Sequence, residues 1–302
     1  MNFQFVVDGL LTGAMIGLGA IGVTLTYSIL RFANFAHGDL MAWGTYAALL
    51  LLGVLTAQFG TIDPIGPFSF GWPLLAAGVG AMLLTGLLAL ALDAVLFARL
   101  RARGQAIIVV MASFGASMTL RSLLEFLFTS RPRYFSREIE MALPLGFGVS
   151  ATPDQMALLA LTGVLVLGTH LLMQRTRIGR AMRATSQNAA LARVTGIDVA
   201  QVVRVTWLIG GALACTAGMM IGVLVQIRPL MGLDLLLPLF AAAILGGIGS
   251  VGGAVVGGLI IGVAEAAAVQ WIGAEWRAAV AFVVLIGVLL LRPGGLFGAA
   301  ER

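Results

Sequence analysis

Asn34, His37 and Asp39 are the first residues of this chain that could do chemistry. They stand in the run Asn34-Phe35-Ala36-His37-Gly38-Asp39, between two apolar stretches. An imidazole and a carboxylate two residues apart could relay a proton or line the mouth of a pathway. They could also form a turn and a helix cap, since a carboxylate favours the positive end of a helix. Arg121 and Glu125 lie four residues apart inside a later apolar stretch. Charges there are costly and tend to pair, and this spacing predicts a mutual ion pair on one helix face. Asp93 and Glu265 are further acids within apolar stretches. Asp93 has Arg99, Arg101 and Arg103 close by. Glu265 has no basic residue near it in sequence, which makes it a candidate for lining a pathway.

Other chemistry is excluded by what the chain lacks. All 18 basic residues are Arg, and there is no Lys. A Walker A lysine is therefore impossible, so the chain is not itself a P-loop ATPase. A Schiff-base lysine is equally impossible, which removes pyridoxal and retinal chemistry. The two histidines, His37 and His170, are far apart, and Cys215 is the only cysteine. No metal site and no disulfide within the chain is expected. An intramembrane enzyme would need clustered acid, base or metal ligands, and the polar residues are scattered.

Residues 175–200, RTRIGRAMRATSQNAALARVTGIDVA, carry Arg175, Arg177, Arg180, Arg183 and Arg193. Gly179 and Gly196 bracket a helix-compatible stretch in which Ala181 and Ala184 supply small contacts between the arginines. Such a stretch could be a basic amphipathic helix lying on the inner leaflet. It could equally be a platform for a cytoplasmic partner.

The elements that must hold these residues are membrane helices. The chain is 60% hydrophobic and 10% charged, with a mean hydropathy of +1.04. Soluble domains are about half apolar and about a quarter charged. Apolar runs near 5–30, 39–57, 73–98, 106–128, 155–173 and 203–226 are long enough to span a bilayer. Three shorter ones follow near 235–248, 251–270 and 277–291. The expected fold is an all-α polytopic membrane protein of about eight or nine helices. It forms one transmembrane domain over 1–302, with broken helices in its C-terminal third. The first run, which lacks a basic leader and a small-residue cleavage site, reads as a transmembrane helix and not as a cleaved signal.

Orientation follows from Arg. With the N-terminus outside, the inner loops hold Arg31, Arg99, Arg101, Arg103, Arg175, Arg177, Arg180, Arg183, Arg193, Arg292 and Arg302. The outer loops hold Arg131, Arg133, Arg137, Arg228 and Arg277. The basic loops and C-terminus are then cytoplasmic. Glu138, Glu140 and Asp154 offset the outer arginines, and Thr152-Pro153 reads as a helix start. The pI near 10.6 points to anionic lipid or an acidic partner and not to nucleic acid.

Glycine gives the last signal. Gly9, Gly13 and Gly17 share one helix face, and Gly253, Gly257, Gly258 and Gly262 repeat the spacing. Small residues at this interval let helices approach closely in lipid. In Gly246-Gly247-Ile248-Gly249-Ser250-Val251-Gly252-Gly253, five glycines in eight residues predict a helix break. A break at membrane depth must be shielded by protein or line a cavity, so Gly247 and Gly249 are candidates for lining or gating a pathway.

Three stretches together resemble the permeases of branched-chain amino-acid ABC transporters (the LivH type). They are Asn34 to Asp39, Gly179-Arg-Ala-Met-Arg-Ala184 through Thr195-Gly-Ile197, and Leu245-Gly-Gly-Ile-Gly-Ser250. The ending Arg292-Pro-Gly-Gly-Leu-Phe297 is similar as well. The resemblance implies a subunit of the bacterial inner membrane, paired with a second homologous permease. Two cytoplasmic ATPase subunits would bind ATP and magnesium, leaving this chain without a cofactor. A periplasmic binding protein would deliver substrate. Residues 179–196 would be the coupling loop, with Gly179, Arg180, Ala181, Arg183, Ala184 and Gly196 in it. Urea or short-amide permeases look much alike. A stand-alone channel or secondary transporter is the other class, with the basic loop as a lipid anchor.

Overall fold

The computed structural model describes residues 3–60, 64–136, 141–146, 148–292 and 294–298. Arg137, Glu138, Glu140 and Arg302, which enter the charge balance above, lie outside these. The long helices are α1 (Gln4–Leu30), α2 (His37–Phe59), α3 (Trp72–Leu92), α5 (Ala106–Phe128), α6 (Pro153–Arg175) and α9 (Val199–Leu224). The short α4 (Ala98–Arg101) prolongs α3 through a π-helical turn, Asp93–Phe97. On the other side of α6 lie α7 (Arg177–Gln187) and α8 (Ala189–Val194). The C-terminal third holds α10 (Met231–Gly246), α11 (Val251–Trp271) and α12 (Arg277–Leu291). Two short strands, Leu143–Gly146 and Val149–Ala151, form an antiparallel hairpin before α6.

Among the described residues, eight helices are long and apolar enough to cross a bilayer, and α10, at 16 residues, is a shorter apolar helix. The expected all-α bundle is therefore found, with its short member in the C-terminal third. Thr152 caps α6 as expected. Its Oγ1 accepts from the Gln155 amide, and the Gln155 side chain accepts from the Thr152 amide.

Helix α1 lies at the centre, apolar all round because protein surrounds it. Its closest neighbour is α11, through the glycine stripes. A methyl group at Gly9 would stand 2.6 Å from Cα of Val263, and one at Gly13 would stand 2.7 Å from Cα of Leu259. The stripes thus do what small residues do in lipid, where close backbone packing replaces the hydrophobic effect. Helices α6 and α12 are peripheral, and α12 buries only Ala281 and Leu285.

Between α1 and α2 the chain doubles back into the bundle. Arg31 ends α1 in a left-handed conformation (φ 59°). Residues 32–36 are non-helical, yet Phe32, Asn34 and Ala36 are buried. His37 then contacts the carbonyl of Gly19. That carbonyl lies eleven residues before the end of α1, about 16 Å along the axis. The apolar run near 39–57 is therefore a helix that begins inside the bundle. Non-helical backbone at such depth is tolerated because protein covers it.

Candidate functional site

The polar centre is built at the N-terminus of α2. Nε2 of His37 donates to the Gly19 carbonyl at 3.2 Å; a carbonyl can only accept, so this nitrogen carries the proton. Gly22 makes room for the ring, since a methyl there would fall 2.6 Å from Cε1 of His37. Asn34 Oδ1 accepts from the Ala36 amide at 3.2 Å and closes the turn. Its Nδ2 is buried without an acceptor among the described residues. Ser113 of α5 takes the Phe35 amide at 3.1 Å.

Asp39 is 1% exposed and joins α2 to α5. It accepts from Nε of Arg121 at 3.2 Å, from Nη2 of Arg121 at 3.4 Å, and from the Ser117 hydroxyl. Arg121 also donates to Ser117 at 3.1 Å. The expected Arg121–Glu125 pair is thus corrected: Arg121 pairs with Asp39. A helical side chain leans toward the N-terminus, so Arg121 reaches back over Ser117, away from Glu125. The order basic-then-acidic is also the weaker one for a pair four residues apart. Glu125 is exposed near the C-terminal end of α5.

A second helix begins beside this centre. Gly232, in the first turn of α10, touches Gly38 backbone to backbone. A methyl on Gly38 would fall 2.9 Å from the Gly232 carbonyl carbon. At its other end α10 stops at Gly246, and the break spans 247–250. Gly247 (φ 95°) and Gly249 (φ 92°) adopt the left-handed backbone that glycine permits. The Gly249 amide donates to Oγ1 of Thr24 at 2.7 Å, and Ser250 caps α11 through the Gly253 amide. Residues beyond α12 complete this joint. The Leu296 and Phe297 amides donate to the Leu245 and Gly246 carbonyls, closing the end of α10. That role for the terminal segment has no signal in its own sequence.

Glu265, expected to stand alone, has a partner twelve residues on. Nε of Arg277 donates to its Oε2 at 2.7 Å, across from α12 to α11. Asp93 meets Arg101 through two bonds of 2.6 and 3.1 Å, as its neighbours suggested.

The basic stretch folds as two helices, not one, because Asn188 breaks it (φ −152°) and caps α8. Thr176 ends α6 and caps α7 through the Gly179 amide at 3.0 Å. Gly179 sits on the last turn of α6; a methyl there would lie 2.6 Å from Cα of Met173. Gly179, Met182 and Thr185 form the buried face of α7. Arg183 donates to the Met173 carbonyl, and Arg31 donates to the Ser186 carbonyl. Ala181 and Ala184 are half-buried, whereas Arg177 and Arg180 are exposed. Leu191 and Val194 of α8 are exposed, Val194 to 85%. Gly196 has a left-handed φ of 86° and turns the chain toward α9.

Residues 5–289 match the family described as branched-chain amino acid transport system / permease component. The chain belongs to this permease family. The permease is 32% identical over 304 residues to the high-affinity branched-chain amino acid transport system permease protein LivH of Escherichia coli K12. That match covers 99% of the permease and 96% of LivH. It is also 32% identical over 307 residues to the corresponding BraD protein of Pseudomonas aeruginosa, with the same coverage. A probable LivH of Methanocaldococcus jannaschii is 27% identical over 296 residues, covering 92% of the permease and 87% of that protein. The resemblance read from the motifs is therefore correct.

Proposed function

We propose that this permease carries branched-chain amino acids inward as one membrane subunit of an ATP-driven importer of the bacterial inner membrane. It works beside a second homologous permease in the lipid. Two cytoplasmic ATPase subunits, which bind the ATP and magnesium, dock on α7 and α8. A periplasmic protein presents the substrate at the opposite end. The end carrying Arg99, Arg175, Arg180 and Arg193 faces the cytoplasm, as the positive-inside rule prefers.

One observation carries this reading. An interfacial helix must bury its apolar face in lipid, but the inward face of α7 is already buried within the chain. What remains outward is Arg177 and Arg180, with Leu191 and Val194 beside them. A cationic surface with adjoining apolar side chains fits a protein partner better than a bilayer. ATP binding closes the ATPase pair and moves α7, and the glycine joints at 247–249 let helix ends follow.

Affinity purification of the tagged chain in mild detergent tests this. Two ATPases and a second permease should co-purify, and the reconstituted assembly should take up leucine with ATP. Arg177→Glu combined with Arg180→Glu should abolish uptake while the chain still inserts; Arg183, expected as a partner contact, is turned inward to the Met173 carbonyl and is left unchanged. Unimpaired uptake in that variant, or transport by the chain alone, would sink the coupling role.

A further inference from the structure

Two chambers at the end of the bundle away from α7 share a wall. The larger, about 570 Å³, lies among α1, α10, α12 and the segment after α9. The smaller, about 330 Å³, lies between α1 and α11. Thr12, Glu265 and Arg277 border both.

Their shared pair is only half used. Glu265 is 1% exposed and takes one bond, from Nε of Arg277, on Oε2. Its Oε1 is sealed from solvent and accepts nothing among the described residues. A brace between α11 and α12 would be stronger as a two-bond fork, the arrangement that arginine and carboxylate favour. Here the guanidinium is turned so that Nε alone meets the carboxylate, and the side chain of Arg277 remains half exposed. A buried acceptor without a partner is rare and calls for an explanation.

We infer that Glu265 and Arg277 form a docking point for the zwitterionic head of an amino acid on its way through the permease. On docking, the Glu265 carboxyl turns Oε1 out of its sealed seat to meet the ammonium, and the carboxylate meets the Nη groups of Arg277. Both charges of the ligand sit on one carbon, and the two unused valences sit on one ion pair. The larger chamber adds Met15, Val225, Leu235 and Pro238, an apolar wall for a branched side chain. A neutral solute such as urea would use neither charge. This site rests on the transport reading above and names the chemistry by which the membrane subunit itself takes part in selection.

The test uses the assembled transporter in lipid nanodiscs, without the periplasmic protein. Binding of three radiolabelled ligands is measured: leucine, 3-methylbutylamine (no carboxylate) and 4-methylpentanoate (no ammonium). Loss of a charge-assisted hydrogen bond is worth about ten-fold or more in affinity. Glu265→Gln should weaken leucine and the amine by that factor and spare 4-methylpentanoate. Arg277→Gln should weaken leucine and 4-methylpentanoate and spare the amine. Should Glu265→Gln fail to assemble, Glu265→Asp replaces it, with the same ligand pattern at reduced size. Equal loss of all three ligands, undiminished leucine binding in either variant, or no leucine binding by a wild-type complex that still imports leucine would overturn the site. ATP-driven leucine uptake by wild-type proteoliposomes is measured alongside, and its absence would overturn the transport reading instead.

Discussion

At the residue scale the decisive contact is between Asp39 and Arg121, two groups 82 positions apart. Both charges are held where water is scarce, so each depends on the other. Removing one partner of a buried pair costs about 3–5 kcal/mol, because the other charge is left uncompensated. Asp39→Ala should therefore lower the thermal midpoint of the purified protein strongly. Glu125→Gln, at an exposed position, should stay within about 0.5 kcal/mol of the wild type. A comparison of the two melting curves decides between the pairing seen here and the local pair that sequence spacing suggests. The reverse pattern would refute the Asp39 assignment. Spacing along one helix brings out neighbours four residues apart. It is blind to a carboxylate delivered by another helix, and the same blindness hid Arg277 from Glu265.

At the element scale, two contacts are made of backbone and leave no room for a side chain. Gly38 against Gly232 joins the starts of α2 and α10. Gly38→Ala should force these helix ends apart and slow uptake severely, while the proposed assembly with ATPases on α7 and α8, away from this contact inside the bundle, is retained. Uptake assays and co-purification on one preparation check both halves. Gly179→Ala should act at the proposed docking surface, lifting α7 from α6, and should reduce ATPase co-purification. Helix existence was legible in the sequence because a run of apolar residues long enough for a bilayer has few other uses. The glycine stripes and the break after Gly246 were legible because glycine marks close approach and left-handed backbone. The re-entry at 32–36 was not, because Asn34 to Asp39 read as a turn and helix cap between two apolar runs, and nothing in that pattern sets its depth in the bundle. The division of the basic stretch into α7 and α8 was also missed. Its signal was Asn188, a residue that caps helices well, but it was hidden in a composition that favours helix throughout.

At the scale of the whole molecule, the two ends can be told apart by labelling. Arg193 and Arg101 border one groove at the end that carries α7, whereas the backbone of Arg133 bridges the backbone of Ile227 at the other. Cys215, the only cysteine, is buried, so it gives no labelling background. A cysteine placed at Arg131 should react with a membrane-impermeant maleimide in intact cells. One placed at Arg193 should react only after lysis. The opposite result would invert the topology. At the surface proposed for the ATPases, a single residue, Thr176, closes one helix and opens the next. Such a joint has no slack, so a push on α7 becomes a push on α6 along the same stroke. Two glycines inserted after Thr176 would introduce play, and the machine would burn nucleotide while its cargo stood still.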